Sequence, residues 1–252
     1  MSTNEVHRMI RAVESIGITP TKAVNEAIER SGFVVNRPSA EEAQRALRDA
    51  ASQHDYDQAV YATAVAMTVA QVAESPAFTS ALNGVRESAL REAVRPWAVD
   101  VLPDMCERFN NAAPGFSAAL TAVPEGAASG SILDTGPDTV AALMAVREAA
   151  EPLHATYAAY KAVLTFLGDP VPSGRTGPGA SVIVSQIGSD FPDDDALWNA
   201  TNDVYAWSMS HGVELPQLYP FVPIVRRGGR LELVEPSEAN RRLVEIPDAR
   251  RN

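Results

Sequence analysis

Alanine is distributed unevenly enough along this chain to divide the fold before any motif is read. Of its 41 alanines, 35 fall in residues 1–169 and six in the last 83 residues, while the 18 prolines split nine and nine. Alanine is the strongest helix former, and proline interrupts both helix and sheet interiors. The expectation is a mainly α fold. It comprises an N-terminal multi-helix bundle of helical hairpins over residues 1–168, a Gly/Pro-rich linker or loop over 169–180, and a small α+β region over 181–252.

The helices are marked by their ends. Ser2 with Glu5 has capping-box spacing, and Val6, Met9, Ile10, Val13 and Ile16 then recur at helical intervals before Gly17. Thr19-Pro20 opens a second helix, with Ala23, Val24, Ala27 and Ile28 on one face and Gly32 past its end. Ser39 with Glu42 and Asp55 with Gln58 mark two more, and Ser75-Pro76 another that runs to about Val94. Pro96 then opens a stretch with the stripe Val101, Leu102, Met105, Cys106 and Phe109. Pro137 opens the last long helix, which Pro152 restarts or kinks and Gly168 ends.

Beyond the linker, Val182-Ile183-Val184 reads as a short strand, and Pro192 opens a helix to about His211 with Asp193, Asp194 and Asp195 in its first turn. Phe221–Glu235 reads as a β-hairpin that turns at Gly228-Gly229, with Pro223 confining its first strand to an edge. The tail from Pro236 is polar and arginine-rich and reads as extended.

Composition narrows the function classes. Hydrophobic residues make up 46% of the chain, too many for intrinsic disorder. A net charge of −11 argues against wrapping nucleic acid over most of the surface, and a single cysteine excludes a disulfide framework or a multi-cysteine metal site within one chain. The segment Met1–Gly17 is amphipathic, without the apolar core of a secretory signal, and the longest apolar run, Ala59–Ala73, is too short for a bilayer span. A cytoplasmic location is expected, or a virion if the gene is a phage's. Nineteen arginines against two lysines, Lys22 and Lys161, fit a high-GC bacterium or its phage or plasmid.

The chemical motifs each dissolve on inspection. Asp134-Thr135-Gly136, with Val184–Gly188 as a partial echo, resembles the signature of retropepsin-type aspartic proteases. That family is all-β, whereas Ala141–Phe166 has a helical period, and Thr135, Pro137 and Asp138 serve equally as a helix start. Gly174–Ser181 resembles a phosphate-binding loop but has Ala180 where the lysine belongs and Pro178 among the backbone donors. Asp190, Asp193, Asp194 and Asp195 lack the glycine and distal glutamate of a calcium loop and read as helix capping. His7, His54, His154 and His211 lie far apart, and Cys106 sits on an apolar stripe as a buried structural thiol. The first two helices resemble a helix-turn-helix in outline, but Thr21–Arg30 balances Lys22 and Arg30 with Glu26 and Glu29. No catalytic, cofactor or metal site is assigned.

Contact surfaces carry more signal. Residues 219–252 hold seven arginines and five acids, whereas residues 127–218 hold three basic and eleven acidic residues. A basic arm on an acidic body points to docking through Arg226, Arg227, Arg230, Arg241 and Arg242 onto an acidic protein surface, in a second copy or a heterologous partner. A solvated hairpin tip and frayed tail fit the same pattern. The helix after Pro192 shows Trp198, Tyr205 and Met209 on one side and Leu197, Val204 and His211 on another, as a helix packed between layers or completed by a partner does. The reading is a non-enzymatic structural or assembly protein, of scaffold or connector type, working by protein–protein contact. A nucleic-acid-binding module using the C-terminal arginines and an enzyme with a dispersed site are the alternatives.

Overall fold

The computed structural model describes residues 3–31, 76–124, 136–169, 177–209 and 218–246. Among these the chain is mainly α, with nine helices: α1 (Thr3–Glu14), α2 (Lys22–Ser31), α3 (Pro76–Asp100), α4 (Leu102–Thr121), α5 (Pro137–Leu167), α6 (Gly177–Ile187), α7 (Asp194–Met209), α8 (Phe221–Arg226) and α9 (Pro236–Glu245). A small antiparallel pair, β1 (Gly188–Ser189) with β2 (Arg230–Leu231), completes the fold near the C-terminus. The chain forms two compact units, one of residues 1–3 and 21–96, the other of residues 4–20 and 97–252. The expected cap at Ser2, the stop at Gly32, the helices opening at Ser39 and Asp55, the run Ala59–Ala73, the Ser75 cap and the Asp134-Thr135 pair lie outside the described residues.

In the first unit, α2 starts one residue after Thr21, whose side chain accepts the Val24 N–H at 3.4 Å, so the cap is Thr21 and not Thr19. Val24, Leu90 and Val94 are buried. The next helix does not stop at Val94. It runs through Pro96 to Asp100, as α4 runs through Pro114 and α5 through Pro152. All three prolines are exposed, so the carbonyl each leaves without a helical partner can be met by water.

The second unit is built around α4 and α5, which pack along each other. Met105, Phe109 and Phe116 on α4 and Leu153, Tyr157, Tyr160 and Val163 on α5 are all buried. In α1, Val6, Met9, Ile10 and Val13 are buried as the periodicity requires, and the Arg108 guanidinium of α4 donates to the Ile16 carbonyl at 2.9 Å. Gly17 and Gly168 end their helices at φ 81° and φ 90°, left-handed conformations that a side chain disfavours.

The C-terminal part departs from its sequence reading in three places. First, Phe221–Arg226 is a helix, not the first arm of a hairpin. Phe221, Val222, Pro223 and Ile224 are all buried, and Pro223 falls in the first turn, where a missing N–H costs nothing. Gly228 (φ 81°) ends this helix: its N–H reaches the Val225 carbonyl and that of Gly229 the Ile224 carbonyl, both at 3.0 Å. This is a Schellman stop, so Gly228-Gly229 closes a helix rather than turning a hairpin. The strand that follows pairs with Gly188–Ser189. Second, Val182-Ile183-Val184 lies within α6, and Gly177–Ala180 belong to that helix rather than to a linker. Third, the segment from Pro236 is helix α9, with Pro236 in its first turn and Glu238 bonded to Arg241 and Arg242, rather than extended.

The strand after Gly229 is fastened on both sides. The N–H groups of Glu232 and Val234 donate to the carbonyls of Ile187 (3.0 Å) and Gln186 (3.1 Å), so the orphan acceptors at the end of α6 are met by the strand. On its other edge, the Asn110 side chain of α4 accepts the Leu233 N–H at 2.7 Å and donates to the Leu233 carbonyl at 3.1 Å. The Tyr160 hydroxyl donates to the Val234 carbonyl at 2.9 Å.

Phe191 fills a slot left by two glycines. A Cβ on Gly229 would stand 2.5 Å from its ring, and one on Gly188 would stand 3.2 Å from it. Gly229→Ala is therefore expected to cost about 1–3 kcal/mol by overpacking. Thermal unfolding checks it, and the added substitution Phe191→Ala should recover part of the loss.

Candidate functional site

Helix α6 packs on α9 on one side and on α7 on the other. Between these two flanking helices, above the C-terminal end of α6, the surface sinks into a groove of about 530 Å³. Its floor is Val184, Ser185 and Gly188; Leu197 and Ile246 add apolar surface from the sides. Each wall is set by local chemistry. On the α7 side the chain turns through Asp190, at φ 52°, and Asp193 caps the helix by accepting the Ala196 N–H at 2.7 Å. Asp194 and Asp195 follow in the first turn, where the helix dipole favours carboxylates. On the α9 side stand Arg241, Arg242 and Glu245. One wall thus lines the groove with three carboxylates, Asp190, Asp193 and Asp194, and the other with two guanidiniums and one carboxylate.

The α9 wall is locked by ion pairs. Arg242, 18% exposed, bonds Glu232 at 2.6 Å, Glu238 at 3.1 Å and the Gly188 carbonyl at 3.1 Å. Arg241 bonds Glu238 at 2.7 Å and Glu245 at 2.6 Å, along its own helix. Burial alone would raise the Glu232 carboxyl; the bond and charge of Arg242, with Ser189 and Arg230, override it and hold it below its usual 4.5. Hydrogen bonds from Arg241 and then Arg242 pull the Glu238 carboxyl down to about 2. A carboxyl held low stabilises the fold fully above its ordinary value, and that contribution is lost as the pH falls through the lower folded-state value. Stability should therefore fall below pH 4.5, the usual value for Glu232, and an acid titration of the melting temperature should give a shallower fall for Glu232→Gln. A variant curve parallel to that of the native chain would contradict the lock.

The five predicted arginines are brought onto the chain's own body. Arg226 donates to the Pro124 carbonyl at 3.2 Å, and Arg227 bonds Asp203 of α7 at 2.7 Å. Arg230 bonds Asp190 at 3.1 Å and Glu232 at 3.0 Å, so Arg230 and Arg242 meet at Glu232. Arg227 and Arg230 thus pair with acids of the same chain, Asp203 and Asp190. Trp198 is half-buried on α7, Tyr205 is 38% exposed, and the side chain of Met209 lies outside the described residues, as does His211. The groove itself was not legible: Asp193–Asp195 read as a helix start, which is correct, but nothing in their spacing placed them opposite Arg241.

The other sequence candidates take ordinary places. Cys106 is half-buried; burial first, then the Glu235 charge, pushes its thiol up to about 12, far from a thiolate nucleophile. Lys161 lies over the Tyr157 ring at 4.8 Å, with burial lowering its ammonium. The Tyr157 hydroxyl donates to Gln186 at 2.8 Å in the core. Among the described residues no group of three or more His, Cys, Asp or Glu side chains is placed to hold a metal, and no helix is long and apolar enough to cross a membrane. The string from Gly174 to Thr176 lies outside the described residues. Compared with protein-family models, curated proteins and solved structures, the chain matches none.

Proposed function

We propose that this chain is a non-enzymatic structural or assembly protein that works by protein–protein contact, with the groove between α7 and α9 as its contact face. The supporting observation is the form of that groove, a floor of Val184, Ser185 and Gly188 inside a rim of both charge signs, together with Val244 of α9 at 87% exposure. Mixed polar and apolar surface of this kind is ordinary in protein interfaces. A component of a phage or mobile element from a high-GC bacterium, in the cytoplasm or virion, fits the arginine and alanine bias. The nucleic-acid reading loses support, since Arg226, Arg227, Arg230, Arg241 and Arg242 are all engaged within the chain.

The test is the mass of the full chain by sedimentation across concentration. A defined species above 26.9 kDa is expected; a monomer of that mass throughout contradicts self-assembly. A chain cut at Leu218 is no substitute, because it lacks Phe221 and the strand fastened to Asn110.

A further inference from the structure

Helix α9 is held to the rest of the protein differently from the strand that precedes it. Leu231 and Leu233 of that segment are buried, and bonds to Ile187, Gln186, Asn110 and Tyr160 fasten its backbone as far as Val234. In α9 itself Ala239 is buried, followed by Ile246 just past the helix end. Arg241 directs its bonds to Glu238 and Glu245, along its own helix. Among the described residues, Arg242 is the one α9 side chain bonded to the rest of the chain. Its guanidinium donates to the Glu232 carboxylate at 2.6 Å and to the Gly188 carbonyl, at the end of α6, at 3.1 Å. The two regimes meet at Glu235, which is extended (φ −63°, ψ 155°), and Pro236, which has no N–H to tie back. What α9 packs on is the helix that carries Val184 and Ser185, 1% and 2% exposed, at the foot of the α9 wall of the groove.

We infer that α9 is a latch over α6. It swings away about Glu235-Pro236 as one unit while the strand, α4 and α5 stay folded; Arg242 is its bolt, and its release uncovers Val184 and Ser185. A segment with so little buried apolar surface opens at a free energy below that of global unfolding. Once undocked, a helix of ten residues is too short to persist in water, so α9 melts as it leaves. Exposure of the α6 surface then answers to the bonds of one guanidinium rather than to the stability of the whole unit. The inference holds whether or not the groove is a contact face.

The experiment is native-state hydrogen exchange of the full chain, native and Arg242→Met, with circular dichroism to verify folding. Methionine keeps an unbranched stem and removes the bonds to Glu232, Glu238 and Gly188. In the native chain the amides of Asn240–Glu245 should exchange about tenfold or more faster than those of Leu233 and Val234. Arg242→Met should speed the α9 amides by about tenfold or more again, the scale of a lost charge-assisted hydrogen bond, and leave Leu233 and Val234 unchanged. Amides of α9 that exchange together with Leu233 and Val234 in both chains overturn the latch. A thiol tests what the latch covers: Val184→Cys, with the native cysteine removed as Cys106→Ser, should react slowly with iodoacetamide, and about tenfold faster once Arg242→Met is added. A thiol indifferent to Arg242→Met while α9 exchange accelerates overturns the uncovering of α6.

Discussion

Replacing Phe221 with alanine is expected to destabilise the second unit by about 3–5 kcal/mol, the range for deleting a buried aromatic ring. Phe221 is fully buried and meets three other rings: Phe109 and Phe116 of α4, each at 5.8 Å between centroids, and Tyr157 of α5 at 6.5 Å. The planes cross at 61°, 74° and 68°, edge-to-face arrangements that add about 0.5–1.5 kcal/mol per pair beyond area. The ring therefore acts as the wedge that joins α8 to the seam between α4 and α5. Thermal or denaturant unfolding measures the loss. A change below 1 kcal/mol, on the scale of a surface substitution, would mean the ring is not enclosed.

The second large effect is expected at Asn110. Its amide stands in for a missing neighbouring strand, exchanging two hydrogen bonds with the Leu233 backbone across 123 positions of sequence. Asn110→Ala leaves both backbone groups of a buried residue without those partners, at about 1–3 kcal/mol for each group so deprived. Denaturant unfolding should show a total of roughly 2–6 kcal/mol. Asn110→Asp should recover at most part of the loss, because a carboxylate can still accept from Leu233 N–H but has nothing to donate to its carbonyl. If Asn110→Ala unfolds as the native chain does, water replaces the amide and the strand is not held by α4.

These two residues also show where sequence reading succeeds and where it stops. Helix ends at Gly17 and Gly168 were legible because a left-handed residue nearly demands glycine, and α1 was legible because only one of its faces is buried. Helices α6 and α8 were not. Val182–Val184 and Phe221–Val225 are apolar on nearly every side, so no period distinguishes a buried helix from a buried strand. Gly228-Gly229 announced a chain reversal, but which carbonyls its N–H groups would meet depends on whether the preceding turn is helical. The arginines posed a different problem. Their type and sign predicted docking on acids, but Arg227 finds Asp203 at a separation of 24 residues and Arg230 finds Asp190 farther off still, so only the fold reveals these acidic neighbours within the chain itself. The groove is a product of the same packing: Asp194 and Arg241 come to flank α6 because α7 and α9 both pack on it.

The groove has its second wall only because the C-terminal segment is part of the helical body. Hydrogen exchange of the Glu232, Leu233 and Val234 amides in the native chain tests this most directly. Their N–H groups are bonded to Ile187, Asn110 and Gln186. They should exchange as slowly as the core amides of α4 and α5, through the same cooperative opening. Exchange near the rate of an unfolded peptide, while α4 and α5 stay protected, would show a detached arm and would contradict both the fold of this segment and the contact face built on it.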